Sequence, residues 1–194
     1  GLLLCKEAGA DVPDETIEHM TNFLENTLKN VDDVKEDWWR RDSRARACFV
    51  LAKAGKPAVA YQNKLLDSAA SMPTSSRLFL ALAFHETGTP EAQATAKRLL
   101  AMEDVTTDRS RHWMSYRPSS AYRLLAASEI DPKSAMPIVE QMLQQRNPHG
   151  HWFTTWGNAW SFYALGQYAS KVENHDRVAT FNLVTAKGTR TIKL

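Results

Sequence analysis

The chain has 194 residues, 43% of them hydrophobic, so it is long and apolar enough to fold around a core, and extensive disorder is not expected. Its 24 basic and 22 acidic residues nearly balance, which gives no electrostatic reason to expect a nucleic acid or an anionic membrane as partner. No apolar run approaches the roughly 20 residues that cross a bilayer, and Cys5 and Cys48 have neither metal-ligand spacing nor a disulfide pattern.

Helical periodicity runs through nearly all of the chain up to residue 172, and the predicted helices are of two kinds. Some carry a single apolar stripe, as in 13–29, where one face is formed by Ile17, Met20, Phe23, Leu24 and Leu28. Others are apolar almost all round, as in 74–87, which contains the run RLFLALAF. In chain order the striped helices are 13–29, 57–70, 90–102 and 131–146, and the apolar helices are 42–54, 74–87, 118–128 and 154–172.

The two kinds of helix alternate along the chain. A helix that is apolar all round must be covered on several sides, whereas a striped helix needs cover on one side only. The alternation therefore predicts an all-α fold of helical hairpins in two layers, with the apolar helices inside and a repeat of ~30–45 residues. Both an open solenoid and a closed α/α toroid satisfy this pattern.

The last residues have a different period. From about residue 177 side chains alternate between two faces, with Thr180 and Asn182 on one and Phe181 and Leu183 on the other. The break AKG is typical of a β-hairpin. Because a lone hairpin is marginal in water, we predict that residues 174–194 begin a following β-domain and that residues 1–173 form the helical domain.

The segment NPHGHWFTTWGNAWSFYALGQYAS (147–170) carries the most specific pattern in the chain. It leads into the last apolar helix, for which Thr154 or Thr155 is a suitable N-cap. RHWMSYRPSSAYRLLAA (111–127) repeats its order of residues, and 37–55 does so more loosely. The motif residues are Gly150, Trp152, Thr154, Thr155, Asn158, Ala159 and Trp160.

This motif resembles the last helical hairpin of the thioester domain in bacterial alpha-2-macroglobulins, although Trp156 stands where the family usually has glutamine. The segments 45–57 and 1–24 are similar to other hairpins of that domain, so the resemblance covers nearly the whole chain. It implies a partial α/α toroid of the terpenoid-cyclase type with a short C-terminal β-hairpin. It also implies that this domain belongs to a large secreted or periplasmic protein. Because the chain begins with Gly and shows no signal peptide, we expect its start to be a cut end.

The resemblance also implies a function. Proteins of this family trap proteases: a bait region is cut, the molecule rearranges, and in many members a thioester acylates the attacker. By resemblance, this chain is a non-catalytic scaffold of such an endopeptidase inhibitor. The implied partners are neighbouring β-domains and, through the whole protein, target proteases; no cofactor, nucleic acid or membrane contact is implied.

Cys5 begins the sequence CKEA, which differs in its last residue from the family's C-x-E-Q thioester tetrad. A thioester requires an amide side chain three residues after the cysteine, and Ala8 has none. In the family the tetrad also lies farther from the motif at 150–160 than Cys5 does. We therefore predict no thioester and no catalytic residue in this chain, and we expect Cys5 to be a buried small hydrophobe.

Three other groups of polar residues could suggest a metal site, an acidic catalytic motif or a basic patch, but the neighbouring sequence does not favour these functions. His149 and His151, with His112 on an equivalent loop, lack further metal ligands, so no metal site is predicted. The acidic run VDDVKED (31–37) lacks the D-x-D-D pattern of terpene cyclases and predicts a solvated loop. The arginines Arg40, Arg41, Arg44 and Arg46 alternate with acidic residues and predict an outer rim.

Four tryptophans cluster around two repeat junctions. In a sugar-binding protein such rings would be exposed to stack on the ligand, whereas between hairpins they bury large apolar areas. The repeat spacing favours packing between hairpins for Trp113, Trp152, Trp156 and Trp160.

Two alternative functions remain open at this level. The chain could be part of an α/α-toroid enzyme of the cyclase or lyase type, with acidic, His or Tyr side chains lining a deep mouth, or a helical-repeat interaction module forming an open superhelix. The family's toroid closes with about six hairpins and this chain supplies about four and a half. We therefore predict an apolar flank of the inner layer that is exposed or covered by a partner.

Overall fold

A computed structural model describes residues 1–29, 38–104, 119–152, 154–172, 180–185 and 188–193, with the side chains of 38–41 and of the two strands left out of the description. The helices are α1 (Leu2–Glu7), α2 (Asp14–Lys29), α3 (Trp38–Lys53), α4 (Val59–Leu66), α5 (Thr74–Thr87), α6 (Pro90–Ala101), α7 (Ser119–Ile130), α8 (Ala135–Gln144) and α9 (Thr155–Lys171). The strands are β1 (Thr180–Thr185) and β2 (Gly188–Lys193). Within the residues described, no helix is both long enough and apolar enough to cross a membrane.

Helices α5 and α7 form the centre of the core. Every residue of α5 from Thr74 to Phe84 is buried. In α7 burial extends from Ala121 to Ile130, with only Arg123 and Glu129 outside it. The prediction that these two segments are covered all round is therefore confirmed.

The striped helices bury much less of their surface. Helix α2 buries Thr21 and Leu28, two turns apart on one face. Helix α8 buries Ala135, Val139 and Met142, which follow the i, i+4, i+7 spacing of a single stripe. These helices have one side toward the core and the other toward solvent. Phe23, predicted to lie on the apolar stripe of α2, is instead 69% exposed, because it lies on another side of the helix from the buried Thr21 and Leu28.

Packing between the helices follows the two-layer pattern. Helix α3 packs against α5, α5 against α7, and α7 against α9. Helices α2 and α4 pack on α3, α6 packs on α5 and α7, and α8 packs on α7. Helices α2 to α9 therefore form an inner layer (α3, α5, α7, α9) and an outer layer (α2, α4, α6, α8), which confirms the predicted alternation.

Helix α9 departs from its prediction. Its sequence predicts burial all round, but it buries a single stripe consisting of Gly157, Ser161, Ala164 and Tyr168. Phe162, on another side of the helix, is 64% exposed. The reason is that α7 covers one side of α9, whereas no other helix of the described inner layer packs closely on the opposite side.

Two of the outer helices are shorter than predicted. The predicted helix 57–70 ends as α4 at Leu66 and is followed by a 3-10 turn at Ala69–Ser71. The predicted helix 131–146 begins with a 3-10 turn at Pro132–Ser134 and continues as α8. Pro137 fits in the first turn of α8, because the N–H groups of a first turn have no partner within the helix.

The two strands pair with each other in antiparallel orientation. Thr180 lies opposite Lys193, and Thr185 lies opposite Gly188 at the turn end. Whether the strands belong to a separate domain that begins at residue 174 stays a prediction.

Candidate functional site

A tight turn connects α8 to the motif before α9. The backbone N–H of Gly150 donates to the carbonyl of Asn147 (2.9 Å), and the N–H of Asn147 donates to the carbonyl of His151 (3.0 Å). The Asn147 side-chain oxygen also accepts from the N–H groups of His149 (2.9 Å) and His151 (3.2 Å). Gly150 has φ +83°, a conformation that side chains disfavour, so glycine suits this position.

Trp152 attaches this turn to both neighbouring helices. Its side chain is 5% exposed, and its indole Nε1–H donates to the carbonyl of Met142 in the last turn of α8 (2.9 Å). Its backbone N–H donates to Oδ1 of Asn158 in α9 (2.8 Å). Trp152 and Asn158 together therefore set the position of α9 relative to α8.

The start of α9 is capped by a side chain. Oγ1 of Thr154 accepts a hydrogen bond from the N–H of Gly157 (2.9 Å), so Thr154 rather than Thr155 is the N-cap. Gly157 packs closely on the backbone of the preceding turn. A Cβ atom at this position would lie 2.5 Å from the carbonyl oxygen of Trp152, so a larger residue does not fit there. Thr155 and Ala159 are exposed and take no part in the junction.

Trp160, the last motif residue, contacts a group of rings contributed by the inner helices. Its ring centroid lies 5.9 Å from that of Phe79 in α5 and 4.8 Å from that of Tyr122 in α7, both in edge-on geometry. Trp156 is 5.8 Å from Trp160. The guanidinium of Arg46 in α3 lies 4.1 Å from the Phe79 centroid and 5.1 Å from the Tyr122 centroid. We call Arg46, Phe79, Tyr122, Trp156 and Trp160 the arginine–aromatic cluster; it joins α3, α5, α7 and α9.

Asp42 holds Arg46 in place. Its Oδ2 accepts from Nε of Arg46 at 2.8 Å, and its Oδ1 accepts from the hydroxyls of Ser75 (3.2 Å) and Ser76 (3.0 Å) at the start of α5. Burial lowers the pKa of the Arg46 guanidinium, but Asp42 and Tyr122 together outweigh burial, and the pKa lies above its ordinary value. Arg46 therefore remains charged, and its charge is balanced within the site.

The ionisable groups of the cluster are not poised for proton transfer near neutral pH. Burial raises the pKa of the Tyr122 hydroxyl above its ordinary value, against the opposing effect of Arg46. Buried Cys48, on the same helix as Arg46, has a pKa of about 12, again because of burial. Both groups are therefore protonated at neutral pH, and the arrangement joins helices rather than activating a nucleophile.

A second polar group lies at the other end of the inner helices. Nζ of Lys53, near the end of α3, pairs with Glu7 of α1 (2.9 Å) and with Glu86 of α5 (3.8 Å). Burial lowers the pKa of Lys53, but the two carboxylates more than compensate and its pKa is raised. An ion pair also joins Lys171 of α9 to Glu129 of α7.

The cysteine and arginine predictions need correction. Cys5 is exposed rather than buried, because α1 has no buried residue and none of its side chains reaches the core. Arg46 does not belong to an outer rim, since its guanidinium packs against the Phe79 and Tyr122 rings of the inner layer. Trp152 and Trp160 pack between helices as predicted, whereas Trp156 is 48% exposed.

Several predicted features lie outside the described residues. These are the acidic run 31–37, the side chains of Arg40 and Arg41, and the loop that contains His112 and Trp113. His149 and His151 are exposed, and their rings are nearly parallel with centroids 6.3 Å apart. Among the residues with described placement, no group of three or more His, Cys, Asp or Glu side chains could hold a metal ion.

The sequence patterns did not single out Asp42, Ser75, Ser76 or Arg77. Arg77 is 1% exposed, and its Nη2 donates to the carbonyls of Met102 (3.1 Å) and Glu103 (2.6 Å), which fixes the chain after α6. A signal was present: Ser-Ser-Arg opens an otherwise apolar helix, and polar residues in such a helix require partners.

Comparison with known proteins finds solved structures with a similar fold. No family model matches the chain, and no curated protein sequence does so either. The chain is similar to native alpha-2-macroglobulin from Escherichia coli, in a crystal structure from domain MG7 to the C-terminus, with a TM-score of 0.70 and 15% identity over 99% of this chain and 31% of that chain. It is similar to Salmonella alpha-2-macroglobulin reacted with methylamine, with a TM-score of 0.72 and 16% identity over 99% of this chain and 13% of that chain. It is also similar to Escherichia coli alpha-2-macroglobulin activated by porcine elastase, with a TM-score of 0.70 and 17% identity over 98% of this chain and 18% of that chain.

The chain thus has the fold of one region of the bacterial alpha-2-macroglobulins. The resemblance predicted from the motif at 147–170 is confirmed at the level of the fold. The chain spans less than a third of the length of each of these proteins.

Proposed function

We propose that this chain is part of the helical, thioester-type domain of a secreted or periplasmic protease trap related to alpha-2-macroglobulin. The observation that carries the proposal is the fold similarity, which extends over 98–99% of this chain in each of three structures. In this proposal residues 1–173 belong to an α/α toroid and residues 174–194 begin the next β-domain.

Within such a protein the role of this chain is structural. The α8–α9 junction and the arginine–aromatic cluster fix the inner helices relative to one another, and the protonated Tyr122 and Cys48 offer no activated nucleophile. The chain supplies a rigid body that neighbouring β-domains hold until a protease cuts elsewhere in the molecule. One of the similar structures is of a protein activated by porcine elastase, which suggests the protease for a test.

The test uses the longer protein in which this proposal places the chain. The protein is mixed with porcine elastase, and elastase activity is measured on a small chromogenic peptide and on casein. A trap leaves peptide cleavage intact and reduces casein cleavage, because an enclosed protease is reached by small substrates only. Serum albumin at equal concentration is the control. Equal activity on both substrates, or equal loss on both, would contradict the proposal.

A second candidate, a helical-repeat interaction module, is favoured by one observation. Among the described helices of the inner layer, only α7 packs closely on α9, and Phe162 of α9 is 64% exposed. Repeat proteins bury a continuous core only between neighbouring repeats, so an uncovered terminal repeat invites a partner. Elastase trapping by the longer protein would argue against this candidate as the main function.

A further inference from the structure

Arg46 and Arg77 both hold a positive charge away from solvent, but their surroundings differ. Asp42 pairs with Arg46 at 2.8 Å, and the pKa of Arg46 is raised in spite of burial. The pKa of the Arg77 guanidinium is lowered, first by burial and then by the positive charge of Arg123, and Asp104 offsets these effects only in part. Arg77 is therefore a buried cation that the acidic group beside it does not balance.

The hydrogen bonds of Arg77 are also incomplete. Its side chain is 1% exposed, and its Nη2 donates to the carbonyls of Met102 (3.1 Å) and Glu103 (2.6 Å). Of the residues that the structure describes, none accepts a hydrogen bond from its Nε or its Nη1. Buried donors in native proteins nearly always have an acceptor, and where the protein supplies none, a bound ion or water does so.

Arg123 of α7 brings a second guanidinium to the same place. Its Nη1 donates to the carbonyl of Leu100 (3.1 Å), and its Nη2 pairs with Oδ1 of Asp104. The same Oδ1 lies 3.9 Å from Nη2 of Arg77. We call Arg77 and Arg123 the arginine pair. The two guanidiniums share one carboxylate, so one positive charge in the pair is left without a counter-charge among these contacts.

The arginine pair lies where three helices meet. Arg77 is in the first turn of α5 and Arg123 is in the second turn of α7, while the carbonyls that they bind belong to the end of α6 and the residues after it. The side chains of Arg123 and Asp104 are 21% and 58% exposed, so the pair can be reached from solvent. All three helices lie well inside the sequence, so these contacts do not depend on what precedes or follows the chain.

The contacts already made by Arg77 favour one class of anion. A planar carboxylate binds arginine best by two parallel hydrogen bonds, and each edge of the guanidinium that can form them includes Nη2. Two carbonyls already accept from this atom in Arg77. A tetrahedral oxyanion directs its oxygens in several directions and carries more charge, so it can accept from Arg77 and Arg123 without using that nitrogen.

We propose that the arginine pair binds a small tetrahedral oxyanion, of the phosphate or sulfate class, where α6 ends between α5 and α7. The bound ion supplies an acceptor to the buried guanidinium and balances the remaining charge of the pair. It thereby joins the starts of α5 and α7. The proposal does not use the protease-trap function, and either can fail without the other.

Equilibrium dialysis with radiolabelled phosphate measures binding to the 194-residue chain. We expect a single phosphate per chain, and Arg77→Gln and Arg123→Gln should each bind it at least about tenfold more weakly, because each loses a charged donor. Arg98→Gln is the matched control: Arg98 is exposed on α6, and its variant should bind like the parent chain. Absence of binding at millimolar phosphate, or equal binding by Arg77→Gln, would overturn the proposal.

Competition identifies the class of anion. Sulfate should displace the labelled phosphate at a similar concentration, whereas acetate should require at least about tenfold more, because a carboxylate cannot form its usual two-point contact with Arg77. Acetate that competes as well as sulfate does would contradict the assignment to a tetrahedral oxyanion.

Thermal unfolding gives an independent readout. Phosphate at ten times its dissociation constant should raise the Tm of the parent chain by about 3–6 °C, because it binds the folded state only. Phosphate also stabilises proteins without binding to a site, so the comparison is with Arg77→Gln at the same concentration and with sodium chloride at equal ionic strength. An equal rise in the variant would indicate an adventitious ion only and would refute the site.

An acidic side chain of the chain itself is the rival for this position. Asp108, the next acidic residue after Asp104, lies outside the described residues, and Asp108→Asn should bind phosphate like the parent chain. Binding that appears only in Asp108→Asn would show that the chain's own carboxylate balances the arginine pair, against the proposal. Circular dichroism checks the helix content of every variant, and the partly exposed Arg123→Gln decides the outcome if Arg77→Gln does not fold.

Discussion

Asp42 accepts hydrogen bonds from three side chains on two helices. The arginine–aromatic cluster therefore depends on this residue. Arg46 is partly buried against Phe79 and Tyr122, so its charge needs a partner within the protein. The hydroxyls of Ser75 and Ser76 bring the start of α5 to the same carboxylate. One acidic side chain thus satisfies a cation and links α3 to α5.

The variant Asp42→Asn keeps the shape of the side chain and removes its charge. We expect the free energy of unfolding to fall by about 1–3 kcal/mol, because a partly buried guanidinium loses its counter-charge. Urea unfolding followed by circular dichroism measures the change. Asp14→Asn is the control, since Asp14 pairs with Lys6 at the surface and its loss should leave the urea midpoint unchanged. Equal effects of the two variants would show that the cluster does not depend on this charge.

The two cysteines should differ sharply in reactivity. Cys5 is exposed, whereas Cys48 is fully buried and burial raises its pKa to about 12. Because the thiolate is the reactive form, Ellman's reagent at mildly alkaline pH should modify one thiol per folded chain and both thiols in urea. Cys5→Ser should abolish the reaction of the folded chain. Rapid modification of both thiols in the folded chain would contradict the burial of Cys48.

The same burial predicts a dependence of stability on pH. The folded pKa of Cys48, about 12, exceeds the ordinary value of about 8.5 expected in the unfolded chain. The contribution of the protonated Cys48 thiol to the free energy of unfolding is fully present below the unfolded pKa. It is lost as the pH rises toward the folded pKa, by up to about 1.4 kcal/mol per pH unit. Urea midpoints measured across this range should fall less steeply for Cys48→Ala. Identical slopes would mean that Cys48 does not titrate differently in the two states.

At the scale of single elements, α9 offers two glycines in opposite surroundings. A Cβ atom at Gly157 would lie 2.5 Å from the backbone oxygen of Trp152, whereas one at Gly166 would meet nothing within 4 Å. Gly157→Ala should therefore lower the free energy of unfolding by about 1–3 kcal/mol. Gly166→Ala should raise it by up to about 1 kcal/mol, because alanine favours a helix more than glycine does. Thermal and urea unfolding measure both, and a stabilising Gly157→Ala would show that the turn at Trp152 is not held as described.

The helices themselves were predictable to different degrees. The start of α6 is encoded locally, since Thr89 caps it and Pro90 fits its first position. The end of α4 at Leu66 and the 3-10 turn before α8 were not predicted, because the apolar pattern continues through both breaks. Periodicity gives the face that a helix buries, but local backbone geometry sets where the helix ends.

At the scale of the whole molecule, stability should increase from the ends of the layers toward their centre. Helices α5 and α7 are buried almost completely, whereas α1 buries no residue and α2 buries two. Amide hydrogen exchange followed by mass spectrometry should therefore find the slowest exchange in α5 and α7 and the fastest in α1, because local opening is easiest where few apolar contacts are lost. Equal protection of α1 and α5 would contradict this order of stability.

The amino-acid sequence by itself determined the alternation of apolar and striped helices, and with it the two layers, because burial all round and burial on one face leave different periods in the order of residues. It also pointed to the motif at the α8–α9 junction, whose glycine, tryptophan, threonine and asparagine make local contacts. Only the tertiary structure decided that Arg46 contacts the Phe79 and Tyr122 rings, that Cys5 is exposed and that, among the described helices of the inner layer, only α7 packs closely on α9. Each of these depends on which distant segment lies beside the residue, and the period of a helix carries no information on its neighbours.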